Sequence, residues 1–178
     1  METLRRTKKP KHTRTGLAMQ WAIPENSRER VNAAGRTLVE GMGDTADGID
    51  RYLDAYAVMS NWRASHQFPL NTFKINLRER ARSIDEHAFV AQRLKRAPSI
   101  IAKLSRFPNM RLTQMQDIGG CRAVVSTLHD VTLLRDALKK SRIKHRLVNE
   151  KDYIAAPKED GYRGIHLVYR YVSDRKET

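Results

Sequence analysis

The feature that most limits how this chain can fold is a change of periodicity near Pro108. Before it, apolar residues recur at helical spacing; after it, they run together or alternate as strands require. Leu77, Ala81, Ile84, Ala88 and Ala91 are spaced four, three, four, three. That stripe predicts one long helix from Thr72 to Arg96. Shorter helices are predicted over Ser27–Leu38, with Ser27 as N-cap, and over Ile49–Ser65, where Ile49, Leu53, Tyr56 and Ala57 share a face. The glycines between Glu40 and Gly48 read as a loop, and Pro69 reads as a break after the second helix. Pro98 can end one helix and start the next, Pro98–Phe107, which would bury Ile100, Ile101 and Leu104.

Beyond Pro108 the β-branched run Cys121–Thr127 reads as a buried strand. Val131–Lys140 reads as a helix. Ile143, His145 and Leu147 alternate with Lys144, Arg146 and Val148, and Leu167–Val172 alternates likewise, so both read as strands. Helices followed by strand–helix–strand–loop–strand predict an α/β or α+β domain. The organisation read from this is a basic flexible arm over 1–24, a helical region over 25–112 and a sheet core over 113–178, with 25–178 as one domain.

Composition narrows the partners. The 178 residues carry a net charge of +14, which favours polyanions such as nucleotides or RNA. The arm, with Arg5, Arg6, Lys8, Lys9, Lys11 and Arg14, reads as a solubilising tail before an RNA-contacting one. No apolar run is long enough to span a bilayer, so no membrane partner is expected. Cys121 is the only cysteine, which excludes an internal disulfide and points to a reducing cytoplasm. Set in an apolar run, it reads as a small buried side chain.

Three clusters can carry chemistry. Arg93, Lys95, Arg96, Lys103 and Arg106 surround the break at Pro98, and cations at a helix start suit an anion. Taken alone they read equally as a solvated basic face. Asp117 precedes Gly119-Gly120-Cys121-Arg122 at the mouth of a strand. It suits a hard cation such as Mg²⁺ beside a triphosphate, or else a plain turn. Lys151-Asp152-Tyr153-Ile154, Pro157-Lys158 and Gly161-Tyr162-Arg163-Gly164-Ile165-His166 mix cations with rings on which a base can stack, in what reads as one loop. The structural alternative there is a basic loop with Tyr153 or Tyr162 partly in the core.

Together, in this order, the clusters resemble the synthetase motifs of the RelA/SpoT family. Arg93-Leu94-Lys95-Arg96-Ala97-Pro98-Ser99-Ile100-Ile101-Ala102-Lys103-Leu104 is similar to its R-x-K…S-I-x-x-K-L segment, and Asp117-Ile118-Gly119-Gly120-Cys121-Arg122 to its D-[IL]-x-G-x-R segment. The third cluster resembles its K-D-Y-I…P-K…G-Y-x-S-x-H run, with Gly164 where the family has Ser. Asn61-Trp62-Arg63, His66 and Pro69-Leu70 resemble the helical part of small single-domain members. The match covers about Gln92 to Val172.

The resemblance implies a nucleotidyltransferase-like mixed sheet flanked by helices, with an N-terminal helical extension and a sheet incomplete at the C-terminus. It implies pyrophosphate transfer from ATP to the 3′-hydroxyl of GDP or GTP, with Mg²⁺ on Asp117 as the catalytic carboxylate. Arg93, Lys95, Lys103 and Arg122 would hold ATP. Lys151, Lys158, Tyr162 and His166 would hold the acceptor. Toxic members modify the tRNA 3′ end, so tRNA is an alternative acceptor and an antitoxin an alternative partner. A non-catalytic nucleotide- or RNA-binding fragment is the third reading. The family's later E-x-Q-I-R-like strand has no counterpart in the 178 residues, which implies weak or absent turnover. No His-Asp hydrolase signature is present, so alarmone breakdown is not expected.

Overall fold

The computed structural model describes residues 21–173. Residues 1–20 of the expected basic arm lie outside the described residues. The end of that arm is held. Trp21 packs edge-on against Phe68 at 5.7 Å, and Asn61 donates to Ile23 O and accepts from Glu25 N, both at 3.0 Å.

The element order is α1 (Arg28–Glu40), α2 (Ala46–Ala64), α3 (Gln67–Ile84), β1 (Phe89–Leu94), α4 (Ala97–Arg106), a 3-10 turn (Leu112–Gln114), β2 (Gly119–Val124), α5 (Leu128–Lys139), β3 (Arg146–Asp152) and β4 (Ile165–Arg170). The fold is α+β. Among the described residues the strands pair as two separate antiparallel ribbons, β1–β2 and β3–β4. No helix of the described residues is long and apolar enough to cross a membrane.

Local signals explain most of the helix ends. Ser27 caps α1, its hydroxyl accepting from Arg30 N at 3.2 Å. Thr45 caps α2 by accepting from Gly48 N at 3.1 Å, so α2 begins three residues before the expected Ile49. Gly48 lies in its first turn, where a Cβ would stand 2.7 Å from Met42 O. The apolar residues that share a face in the sequence are not the ones this helix buries. Ile49, Leu53 and Tyr56 are exposed, while Ala55, Val58 and Met59 enter the core. Pro69 does not break the chain but lies in the first turn of α3, where its missing N–H has no helical partner to lose.

The largest correction concerns Thr72–Arg96. The helix ends at Ile84, and residues 89–94 form β1. Asp85 makes the reversal: Oδ1 accepts from His87 N at 2.9 Å, and Oδ2 accepts from Ser126 N and Oγ at 2.8 Å each. The stripe misled because most of its members share one core without sharing one helix, while Ala91 points to the opposite face of β1 from the core-facing Val90. Ala81 on α3 and Ala88 before β1 pack together with Leu134 of α5. The expected helical region over 25–112 thus includes a strand. Cys121–Thr127 is likewise shorter as a strand, Gly119–Val124, and is covered on one face only. Cys121 is half-buried rather than buried; burial pushes its thiol up to about 11 against a weaker opposing pull from Lys74, so it is an unreactive thiol.

Two cores result. One joins Val31, Ala34 and Leu38 of α1, Val58 and Met59 of α2, Ile100 and Leu104 of α4, and Leu112, Met115 and Ile118. The other lies beneath β1–β2, between α3 and α5. The second ribbon docks on the same helices. Phe73 of α3 meets His145, Tyr169 and Tyr171 at ring distances of 4.9, 5.5 and 6.3 Å, and Tyr169 Oη donates to Leu138 O of α5 at 3.3 Å. Both ribbons are therefore covered on one face and open on the other.

Candidate active site

Alternation along the strands assigns the open faces. In β1–β2, Val90 and Ala123 pair and point to the core, so Arg93, opposite Gly120, and Arg122, opposite Ala91, lie on the other face. Both arginines are exposed. In β4, Leu167 and Tyr169 point inward, which leaves His166, Val168 and Arg170 outward. Lys151 is paired with His166 and Arg146 with Arg170 across the ribbon. Lys151 and His166 are strand residues, not loop residues as the sequence suggested.

Asp117 sits just before β2 and gathers two lysines. Lys103 Nζ donates to Oδ1 at 2.7 Å and Lys95 Nζ to Oδ2 at 3.0 Å. Lys103 lies in the last turn of α4. Side chains on a helix lean toward its N-terminus, which carries the ammonium back to Asp117. Lys95 follows β1, and its N–H donates to Ile118 O at 2.8 Å, which fixes it beside the residue after Asp117. Burial works to raise the Asp117 carboxyl, but the hydrogen bonds and charges of Lys103 and Lys95 together hold it below the usual aspartate value. It is an ionised carboxylate, 45% exposed, whereas Lys95 is 14% and Lys103 28% exposed. A charge-assisted pair of this kind is well placed to exchange partners when an anion and a cation arrive together.

Two groups of importance were not legible as site residues. Arg63 of α2 donates through Nε to Lys95 O at 2.7 Å, so a helix from the first core holds the segment that bears Lys95. The sequence showed Arg63 only as part of a helical resemblance, because the contact spans 32 positions. Arg146 and Arg170 were missed because only the strand register sets them face to face.

The third cluster comes together around the loop from β3 to β4. Tyr162 Oη and His166 Nε2 are 2.9 Å apart, and Lys158 Nζ lies 4.7 Å above the Tyr153 ring and 5.3 Å above the Tyr162 ring. His166 has its pKa lowered by burial first, then by the charges of Lys158, Arg122 and Lys151. The presence of Arg122 in that set joins the clusters electrostatically, since it belongs to the other ribbon. The predicted residues thus gather at two places, the Asp117 trio and the aromatic cluster, and Arg122 is the cation of the first ribbon that acts on His166 of the second.

Mg²⁺ fits this arrangement in a limited sense. No group of three or more His, Cys, Asp or Glu side chains among the described residues could cage a metal. Mg²⁺ commonly keeps several waters and binds through one or two carboxylates plus substrate phosphates, and Asp117 offers such a carboxylate.

The order of motifs, the α+β frame and the gathered cations point to one class, and residues 92–178 match the family model described as "Region found in RelA / SpoT proteins". More particularly, the chain is 37% identical over 92 residues to GTP pyrophosphokinase YjbM of Bacillus subtilis, a match covering 49% of this chain and 43% of that protein. It is 36% identical over 81 residues to GTP pyrophosphokinase YwaC of the same organism, covering 43% and 38%. In structure it is similar to small alarmone synthetase 1 from Bacillus subtilis bound to its product pppGpp, with a TM-score of 0.56, 28% identity and coverage of 62% of this chain and 60% of that one. A GTP pyrophosphokinase family protein from Streptococcus pneumoniae is also similar, with a TM-score of 0.53, 29% identity and coverage of 74% and 64%. The chain spans less than half the length of the two curated relatives it matches.

Proposed function

We propose that this protein transfers pyrophosphate from ATP to the 3′-hydroxyl of GDP or GTP, yielding guanosine tetra- or pentaphosphate. The observation that carries the reading is the Lys95–Asp117–Lys103 trio beside a strand that bears Arg122 on its open face. Arg93, Lys95, Lys103 and Arg122 bind the triphosphate of ATP. Asp117 holds Mg²⁺, which when bound neutralises phosphate charge. Lys151 and Lys158 meet the acceptor's phosphates, Tyr162 offers its face to the base, and His166 lies near the sugar. Such transfer depends on positioning and charge neutralisation more than on covalent chemistry. The relatives named pyrophosphokinases, and the neighbour solved with pppGpp, support the reading.

A tRNA 3′ end is the second acceptor considered. Its support is Arg146 facing Arg170 on the same open face as Lys151 and His166, which extends the anion-attracting surface beyond a mononucleotide. The test is incubation with Mg²⁺ and ATP labelled in its β-phosphate, with GDP, GTP or deacylated tRNA as acceptor. Label on guanosine nucleotide, lost in Asp117→Asn by a hundredfold or more on the scale of lost electrostatic stabilisation, is the expected result. Label on tRNA alone replaces the first reading with the second. No transfer, together with no binding of ATP or GDP, overturns both.

A further inference from the structure

The loop joining β3 to β4 closes on itself. Its backbone is pinned: Tyr153 N donates to Gly164 O at 2.8 Å, Gly161 N to Lys158 O at 2.9 Å, and Tyr162 N to Asp160 Oδ1 at 3.0 Å. Within that frame the rings of Tyr153, Tyr162 and His166 meet edge to face, with centroids 5.9 Å (Tyr153–Tyr162), 5.0 Å (Tyr153–His166) and 5.4 Å (Tyr162–His166) apart. Lys158 covers both tyrosines, and the Tyr162 hydroxyl reaches His166 Nε2. Each ring of the cluster therefore has an edge or a face engaged by another of its members. Gly164 makes this arrangement fit. At φ +156, a Cβ on residue 164 would lie 3.1 Å from Tyr162 Oη and 3.5 Å from its ring carbon Cζ. A contact of 3.1 Å is too close unless the tyrosine gives way.

We propose that Gly164 lets Tyr162 latch onto His166, so that the acceptor subsite is shut by its own aromatic residues and opens only when an acceptor's base separates them. The proposal rests on the reading that this loop receives the acceptor. With Nε2 unprotonated, it accepts from the tyrosine hydroxyl, and the latch is one neutral hydrogen bond plus edge-to-face ring contacts. A ligand that needs the open form binds with its affinity reduced by the fraction of protein that is open. Removing the latch therefore tightens acceptor binding and leaves ATP binding alone.

Two variants test it. Tyr162→Phe keeps the stacking face and deletes the hydroxyl; Gly164→Ala keeps the hydroxyl and pushes it away. GDP and ATP affinities are measured by calorimetry, and the His166 pKa by NMR on the full chain. The groups that face His166 are Lys158, Arg122, Lys151, Tyr153 and Tyr162. Only the last is changed by Tyr162→Phe, so the imidazole should then protonate more readily and its pKa rise. The expected result is GDP bound about fivefold more tightly by both variants, the scale of one neutral hydrogen bond, with ATP affinity unmoved. Because alanine at φ +156 can distort the loop, Tyr162→Phe decides where the two disagree. An unmoved His166 pKa in that variant, with GDP affinity unchanged or weaker, overturns the latch alone. Failure of GDP to bind wild type and both variants overturns the acceptor reading and the latch with it.

Discussion

Single side chains here are tuned by what surrounds them, and His66 is the clearest case for stability. It lies at the junction of α2 and α3, its ring edge-on to Trp62 at 5.0 Å, with Nδ1–H donating to Trp62 O at 2.7 Å. Burial depresses its pKa below 6.5, and the hydrogen bond to Trp62 offsets only part of that. A histidine depressed by folding binds protons less readily in the folded chain than in the unfolded one. Between the folded value and 6.5 the unfolded state therefore takes up more protons, and stability falls as the pH falls through that window. His166 acts with the same sign. Thermal melts between pH 8 and 5 should show Tm dropping as acidity passes 6.5, and His66→Gln should flatten the drop without abolishing it. An identical pH slope in wild type and variant would contradict this account.

At the scale of elements, the site is where helices and ribbons are stitched together. Arg63 ties α2 to the end of β1 through one half-buried bond to Lys95 O. A hydrogen bond from a charged donor is worth roughly 1.5–3 kcal/mol. Arg63→Met keeps the aliphatic stem and loses the donor. It should weaken ATP binding about tenfold while leaving GDP binding unchanged, since Lys95 lies far from the Tyr153–Tyr162 loop in the chain and on the other ribbon. Equal weakening of both ligands would mean that Arg63 supports the fold generally. Such links also mark the limit of what the sequence could disclose. Asp117, Lys95 and Lys103 were singled out by their resemblance to the family's motifs, and the ion pairs that join them were not among those expectations. The end of the helix before Ala88 was not legible, since an alanine that meets a core from a helix and one that meets it from the turn beyond leave the same apolar mark. Asp85, whose side chain turns the chain by holding Ser126, is the residue that separates the two cases, and its partner lies 41 positions away. On α2 too the apolar mark was not decisive: Ile49, Leu53 and Tyr56 stay exposed, while Ala55, Val58 and Met59 pack against α1 in the first core.

Across the whole molecule, the candidate site depends on two ribbons that share no backbone hydrogen bond among the described residues. Both ribbons rest on α3 and α5, and Phe73 is the point where α3 grips β3–β4 through His145, Tyr169 and Tyr171. Deleting a partly buried phenylalanine from such a contact removes roughly 3–5 kcal/mol in a rigid core and less where the site relaxes. The loss should be local, because β1–β2 has its own core of Ala81, Ala88 and Leu134. In Phe73→Ala, hydrogen exchange should quicken in β3–β4 and stay slow in β1–β2. His166 supplies an independent gauge of the same motion. Lys158 and Lys151 travel with its ribbon, but Arg122 belongs to the other, so separation removes only the Arg122 share of the charge that lowers its pKa. The His166 pKa should then move part of the way back toward 6.5, and charge falling off with distance makes even a modest separation visible in an NMR titration. Uniformly faster exchange in both ribbons with an unshifted His166 would show that the molecule opens as one unit, and that Phe73 stabilises the fold without aligning the two halves of the site.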